Sequence, residues 1–346
     1  MGRRHKWIFA AAVMALIFVR PQQAVNGAQR AMRMWYQGVA PALLPFLALM
    51  PMLTGREACA AYEKIFSPVM KKCFRLPGSA APAVIAAMLA GSPGGAAAVN
   101  EIRSGGSISD RHAARIALSV CGVSPAWLVL GVGCSLLGSK AAGVKLALIQ
   151  AAVQLILLKS LEKVEIQTAP LNLPATQVEK KNPVWSAVET TLGVCGYMCV
   201  FGACGSVIAS FAGEKAGIAL LSVLDLPSGA ALIAEGRFPG HMIVLGAALG
   251  FGGICIAAQN MERLRMFGVK WRDYIIVRCF AAVLSALACA FVFRNPLQIT
   301  DIEASGGKMY VISLFAAAVC VLPGMIFLSK NIFLNKGKAA RKRGKI

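Results

Sequence analysis

Acidic side chains are scarce in this sequence: 15 Asp and Glu stand against 36 Lys and Arg, and charged residues of both signs make up only 15% of the 346. So thin a polar complement cannot clothe a chain that is 57% hydrophobic as one water-soluble core. Histidine is rarer still, at three residues. His-Glu-x-x-His, Gly-x-Ser-x-Gly and a phosphate-cradling Gly-Lys-Ser/Thr are all missing. The expectation is therefore a protein that is not an enzyme, with no catalytic residues and no cofactor.

The excess of basic residues gives a net charge of +21, a value that in a soluble protein would point to nucleic acid. Here the Lys and Arg sit at the ends of apolar stretches and in the tail 330–346, where cytoplasmic loops and anionic head groups attract them, so no nucleic-acid partner is expected. The eleven cysteines lie almost entirely within apolar stretches and read as small hydrophobes. Cys195, Cys199 and Cys204 have roughly helical spacing but lack His or carboxylate companions, so no metal site is expected.

What the chain does have is long apolar runs punctuated by charge. Measured against the roughly 20 residues a helix needs to cross hydrocarbon, spans are expected near 7–19, 38–54, 113–137, 141–161, 183–211, 241–259, 274–293 and 308–329. Two further apolar stretches, 80–99 and 216–234, are interrupted in the middle by Pro and Gly, which suits re-entrant hairpins buried in protein. The fold class read from this is all-α: a polytopic helical membrane protein of about eight transmembrane helices plus two interrupted segments.

The basic loops Arg56–Arg75 and Glu262–Arg272 and the basic tail are expected to be cytoplasmic, which places both termini inside and the whole in the plasma membrane. The start, Gly2–Lys6 followed by Trp7–Val19, reads as an uncleaved signal anchor. Arg20, Arg30 and Arg33, with Trp35 and Tyr36, suit an interfacial amphipathic segment. The divisions are 1–37 for anchor and interfacial segment, 38–161 and 183–307 for two membrane repeats, 162–182 for a cytoplasmic loop, 308–329 for a last helix and 330–346 for the tail.

The repeats show in the interrupted stretches. Pro93-Gly94-Gly95-Ala96-Ala97 and Pro227-Ser228-Gly229-Ala230-Ala231 lie 134 residues apart, and the same offset sets Ser124-Pro125 beside Ala258-Gln259. The basic loop 260–273 then corresponds to 126–139, which holds no charged residue, Lys140 lying just past its end, so equivalent loops are expected to face opposite sides. Inverted repeats with broken helices recur in secondary transporters, with the solute held near the midplane. A helix broken at membrane depth bares N–H groups at one end and C=O groups at the other, and these partial charges can hold a polar solute.

Ser92-Pro93-Gly94-Gly95-Ala96-Ala97, Gly106-Ser107-Ile108-Ser109, Cys121-Gly122-Val123-Ser124-Pro125 and Gly131-Val132-Gly133 resemble the nucleoside-recognition, or Gate, domain. Leu224–Gly229, Gly250–Gln259, Tyr274 and Arg278 are similar to the matching blocks of the sporulation integral membrane proteins of the YlbJ type. The resemblance covers roughly 38–295. It implies a transporter-like fold and a role in spore formation in an endospore-forming bacterium.

The expected break-formers are Pro93, Gly94 and Gly95 with Pro227, Ser228 and Gly229, and the expected polar contacts to a solute are Ser124, Asp225 and Gln259. Each has a second reading. The glycines also serve close helix packing, Asp225 can sit at the interface, and Gln259 can bond a neighbouring helix. Arg278, one turn inside its span, either snorkels to the surface or pairs with an acid such as Asp225. The function read from these residues is binding or movement of a small polar solute, nucleoside-like or ionic. The alternative is a non-transporting scaffold in spore assembly. The expected partners are the lipid bilayer and that solute, with a second copy of the chain or other spore-assembly membrane proteins.

Overall fold

The computed structural model describes residues 6–163, 182–236 and 238–293. The expected helix 308–329, the tail and most of the loop 162–182 lie outside the described residues.

Every regular element among the described residues is helical. Helix α1 (Lys6–Val19) leads into α2 (Pro21–Met34), which continues through a π-helical turn, Trp35–Val39, into α3 (Ala40–Thr54). Helix α4 (Arg56–Val69) ends in a second π turn, Met70–Phe74. Then come α5 (Ala81–Ala90), α6 (Gly94–Ser104), α7 (Asp110–Val120), the π-helical segment Trp127–Leu136 and α8 (Lys140–Ser160). The second half runs α9 (Pro183–Ala209), α10 (Glu214–Leu224), α11 (Leu226–Gly236), α12 (His241–Phe251), α13 (Gly253–Leu264) and α14 (Trp271–Val292).

Among the described residues four helical stretches are long and apolar enough to cross a membrane: Lys140–Ser160, Pro183–Ala209, His241–Phe267 and Trp271–Val292. A fifth is available if Cys59–Phe74 and Gly78–Ala90, bent by 99°, form one broken span. The protein is thus a helical membrane protein in contact with lipid. The basic stretch 56–75, expected as a loop, is helix α4 and its π turn, folded back against α5.

Both interrupted stretches are broken where the sequence places the breaks, between α5 and α6 and between α10 and α11. Two more interruptions fall inside stretches expected as continuous spans. The stretch 113–137 opens at Cys121–Ser124, and 241–259 opens at Gly252, which with Gly253 takes a positive φ of 86° and 78°. Only residues without Cβ enter that region at little cost, so the Gly-Gly pair turns the chain without a proline to announce it.

The succession of elements in the second half echoes that in the first. Two short helices flank a break, two more flank a second break, and a long helix follows. Gly94 and Leu226, which open α6 and α11, are 132 residues apart; Asp110 and His241, which open α7 and α12, are 131 apart, as are Lys140 and Trp271. This register differs from the 134 given by the Pro-x-Gly-Ala-Ala match. Pro93 is the N-cap of α6, whereas Pro227 is the second residue of α11, so N-cap stands opposite N-cap when Pro93 is paired with Asp225. At the 131-residue offset of the later helices, Ser124 corresponds to Cys255 rather than Ala258.

Helix α2, expected as an amphipathic segment, has a packing partner. It packs lengthwise on α9 through Ala24, Gly27 and Ala31, with the Gly27 backbone against Gly202 and Ser206. Arg20 covers the Phe211 ring at one end and the Trp35 indole donates to the Thr191 carbonyl at the other, 2.9 Å away. Small residues let the two backbones approach closely.

At one end of the bundle Arg115 caps two helices. Its Nε and Nη2 donate to the Leu158 carbonyl at 3.1 and 2.7 Å, and Nη2 also reaches the Phe74 carbonyl at 2.7 Å. Guanidinium donors suit the orphan carbonyls of helix C-termini. Beside them, the Lys159 ammonium hydrogen-bonded to Glu162 holds its carboxyl below the usual carboxylate range, with Arg75 and Arg115 adding to the effect.

Candidate functional site

The two breaks of the first half meet. The Ser92 N–H donates to the Gly122 carbonyl at 2.7 Å and its Oγ to the Cys121 carbonyl at 2.6 Å. A Cβ on Gly91 would lie 2.5 Å from the Ser124 nitrogen, so the contact requires glycine, as does its φ of 61°. The carbonyls that α7 leaves free at its interrupted end are thereby satisfied from the neighbouring break. In the second half Gly253 faces Leu226 and Val223 less tightly, a Cβ there lying 3.1 Å from the Leu226 nitrogen.

The halves are joined by polar side chains buried between them. Asn260 Nδ2 donates to Ser92 Oγ and to Tyr274 Oη, both at 2.8 Å. Arg278 Nη2 donates to the Leu118 carbonyl at 2.7 Å. Gln150 Nε2 donates to Ser285 Oγ at 3.1 Å, and Gln154 reaches the break at Gly122. Arg278 is only 3% exposed, so it does not snorkel to the surface; its guanidinium turns inward to the last turn of α7. Nor does it pair with Asp225.

A cavity of about 40 Å³ opens at this junction. That is room for one to a few water molecules. Its wall includes Ser92, Ser124 and Trp127 from the first half and Pro227, Cys255 and Gln259 from the second. Trp127, Pro227 and Cys255 lie in the first turns of their helices, so the N-terminal ends of three helices border one space. Ser124 Oγ accepts from the Trp127 N–H at 3.3 Å. Gln259, 4% exposed, has a 3.4 Å contact from Nε2 to the Cys255 sulfur.

Of the residues singled out in the sequence, Ser124, Pro227 and Gln259 come together on this wall. The others stand behind it. Pro93 caps α6, Gly94 packs under Leu47 of α3, Gly95 against Ala87 of α5, and Gly229 against Ser222 of α10, which is the close-packing role. Asp225, fully buried, precedes α11 as an N-cap: its Oδ2 accepts from Ser228 Oγ at 2.5 Å and from the Ser228 N–H at 3.4 Å, while Oδ1 has no partner. A carboxylate there is favoured by the positive end of the helix. Sequence reasoning passed over Gln150 and Gln154. Two amides one turn apart within the apolar run 146–158 are the signal that marks them.

The chain is 24% identical to the sporulation integral membrane protein YlbJ of Bacillus subtilis (strain 168), in an alignment that covers 83% of this chain and 81% of the relative. This supports the resemblance to the sporulation integral membrane proteins of the YlbJ type. No protein-family model matches the chain, and no solved structure matches it.

Proposed function

We propose that this protein acts without covalent chemistry, in the plasma membrane during spore formation, and binds a small polar solute where its two halves meet. The observation that carries this is the cavity bordered by Ser92 and Ser124 from one half and Pro227 and Gln259 from the other. The recurring order of broken helices supports an inverted repeat of Gate type, and the sporulation role follows the name of the similar protein. In such architectures one half rocks against the other around a fixed site, which supports alternating access as the mechanism. In this reading both termini are cytoplasmic, as the distribution of Lys and Arg favours.

A second reading has its own observation. The backbone groups bared at the first break are satisfied by Ser92, and the two halves are tied by Asn260 and Arg278, as befits a static scaffold. Thermal unfolding of the purified protein against nucleosides, bases, amino acids, metal ions and dicarboxylates separates the two, because a ligand that binds only the folded state raises the midpoint. A shift that is lost in Gln259→Ala and Ser124→Ala is expected for a solute site. No shift across the panel would leave the scaffold.

A further inference from the structure

We propose that α4 lies along the bilayer surface with its outer flank among the acyl chains, and that the basic turn at its end seats the head group of an anionic phospholipid. This stands apart from the solute reading above.

The flank is what packing leaves over. Cys59, Tyr62 and Phe66 face inward against the core that α5, α6 and α7 share, and Met70 is buried with them. Beside that face runs a second apolar stripe, Ala61, Ile65, Pro68 and Val69, whose spacing of i, i+4, i+7 and i+8 keeps it on one side of the helix. Among the described residues nothing covers it: Ile65 is 66% exposed and Val69 46%. Stripe and packed face together form one broad apolar arc, while Glu63, Lys64 and Ser67 fall on the remaining side. An apolar arc backed by charge is the pattern of a helix lying in the interface plane.

The direction of the chain agrees. The segment Gly78–Ala90 turns away from α4 by 99°. Helix α5 is buried along nearly its whole length, so it heads into the apolar body of the bundle. A helix close to perpendicular to it runs along the bilayer rather than through it. A crossing path would also carry Lys64, Lys71 and Lys72 into hydrocarbon, and among the described residues no acid pairs with any of them.

At the end of α4 four cations gather. Lys71 and Lys72 are exposed on the π turn, Arg75 follows with a φ of 49°, and Lys159 joins from α8. Arg75 and Lys159 both hold Glu162, at 2.6 and 2.7 Å, which brings the two elements together. One acid against four cations leaves the turn strongly positive. The Arg75 and Lys159 side chains stay 69% and 52% open, so donors remain for phosphate oxygens. The seat is held in shape from within. Arg115 Nη2 binds the Phe74 and Leu158 carbonyls, and the Leu76 N–H closes on the Met70 carbonyl at 3.1 Å. A fixed basic cluster at the end of an interfacial helix matches the negative charge of a lipid head group.

Two experiments on the full chain test placement and seat. In nanodiscs, Ile65→Trp adds a fluorophore on the stripe. Relative to the unaltered protein, its added emission should be quenched by phosphatidylcholine brominated near the head-group end of the acyl chains, and much less by lipid brominated at the chain ends. Stronger quenching from the chain ends means that α4 crosses, and no quenching by either lipid means that it faces water; each overturns the placement. In neutral detergent, a fluorescent phosphatidylglycerol should be displaced by phosphatidylglycerol far better than by phosphatidylcholine. Lys71→Gln and Lys72→Gln should each cut that preference about fivefold, the scale of one surface cation against anionic lipid. An undiminished preference overturns the seat. Should the variants fail to fold, the unaltered protein decides: high salt should abolish the preference, and its survival there overturns the seat as well.

Discussion

Ser92 holds the first break by three hydrogen bonds: to the Gly122 carbonyl, to the Cys121 carbonyl and from the Asn260 amide. Ser92→Ala keeps the first and abolishes the other two, leaving a buried carbonyl and an amide hydrogen without partners. We expect a loss of about 1–3 kcal/mol, the cost of stranding buried polar groups, read from denaturant or thermal unfolding in detergent. At this scale the sequence was partly legible. Ser124 and Gln259 were expected as polar contacts to a solute, and they do line the cavity. Arg278 was not legible. A position one turn inside a span fits a side chain reaching outward as well as one turned inward. What decides is the Leu118 carbonyl, brought to it from 160 residues away.

Among elements, the breaks that carry Pro93 and Pro227 could be read directly, because Pro withdraws a backbone donor and clashes with the turn before it, whereas the stretch holding Pro125 was expected as one continuous span. The break at Gly252 and Gly253 could not, since glycines in an apolar run serve packing as readily as turning; only the positive φ at both settles it. The offset of 134 was misled for a related reason. A Pro-x-Gly-Ala-Ala match aligns composition, whereas the helices align by their caps, and Pro93 and Pro227 occupy different cap positions. Helix α2 was read as amphipathic, but not what its small-residue face would meet. Gly27→Leu should push α2 from α9, since its side chain would enter the Gly202 backbone, and should cost about 1–3 kcal/mol by overpacking. Gly193→Leu on the same α9, where a Cβ meets nothing, should leave the unfolding midpoint nearly unchanged and so control for the added bulk.

For the whole molecule, the order in which the ribosome delivers the halves matters. The polar groups bared at the first break wait for partners that arrive much later: Ser92 for Asn260, 168 residues on, and the α7 terminus for Arg278. Until α13 and α14 have entered the bilayer, the first half carries an incompletely answered polar seam in a medium that offers no water to cover it. Biogenesis thus has a vulnerable interval that ends when the second half docks. A chain stopped after residue 236 should insert yet be cleared quickly by membrane quality control, and supplying residues 182–346 as a separate polypeptide should extend its lifetime in a pulse-chase experiment. Asn260→Leu in that second polypeptide should weaken the rescue, because the seam then stays open after the halves have met.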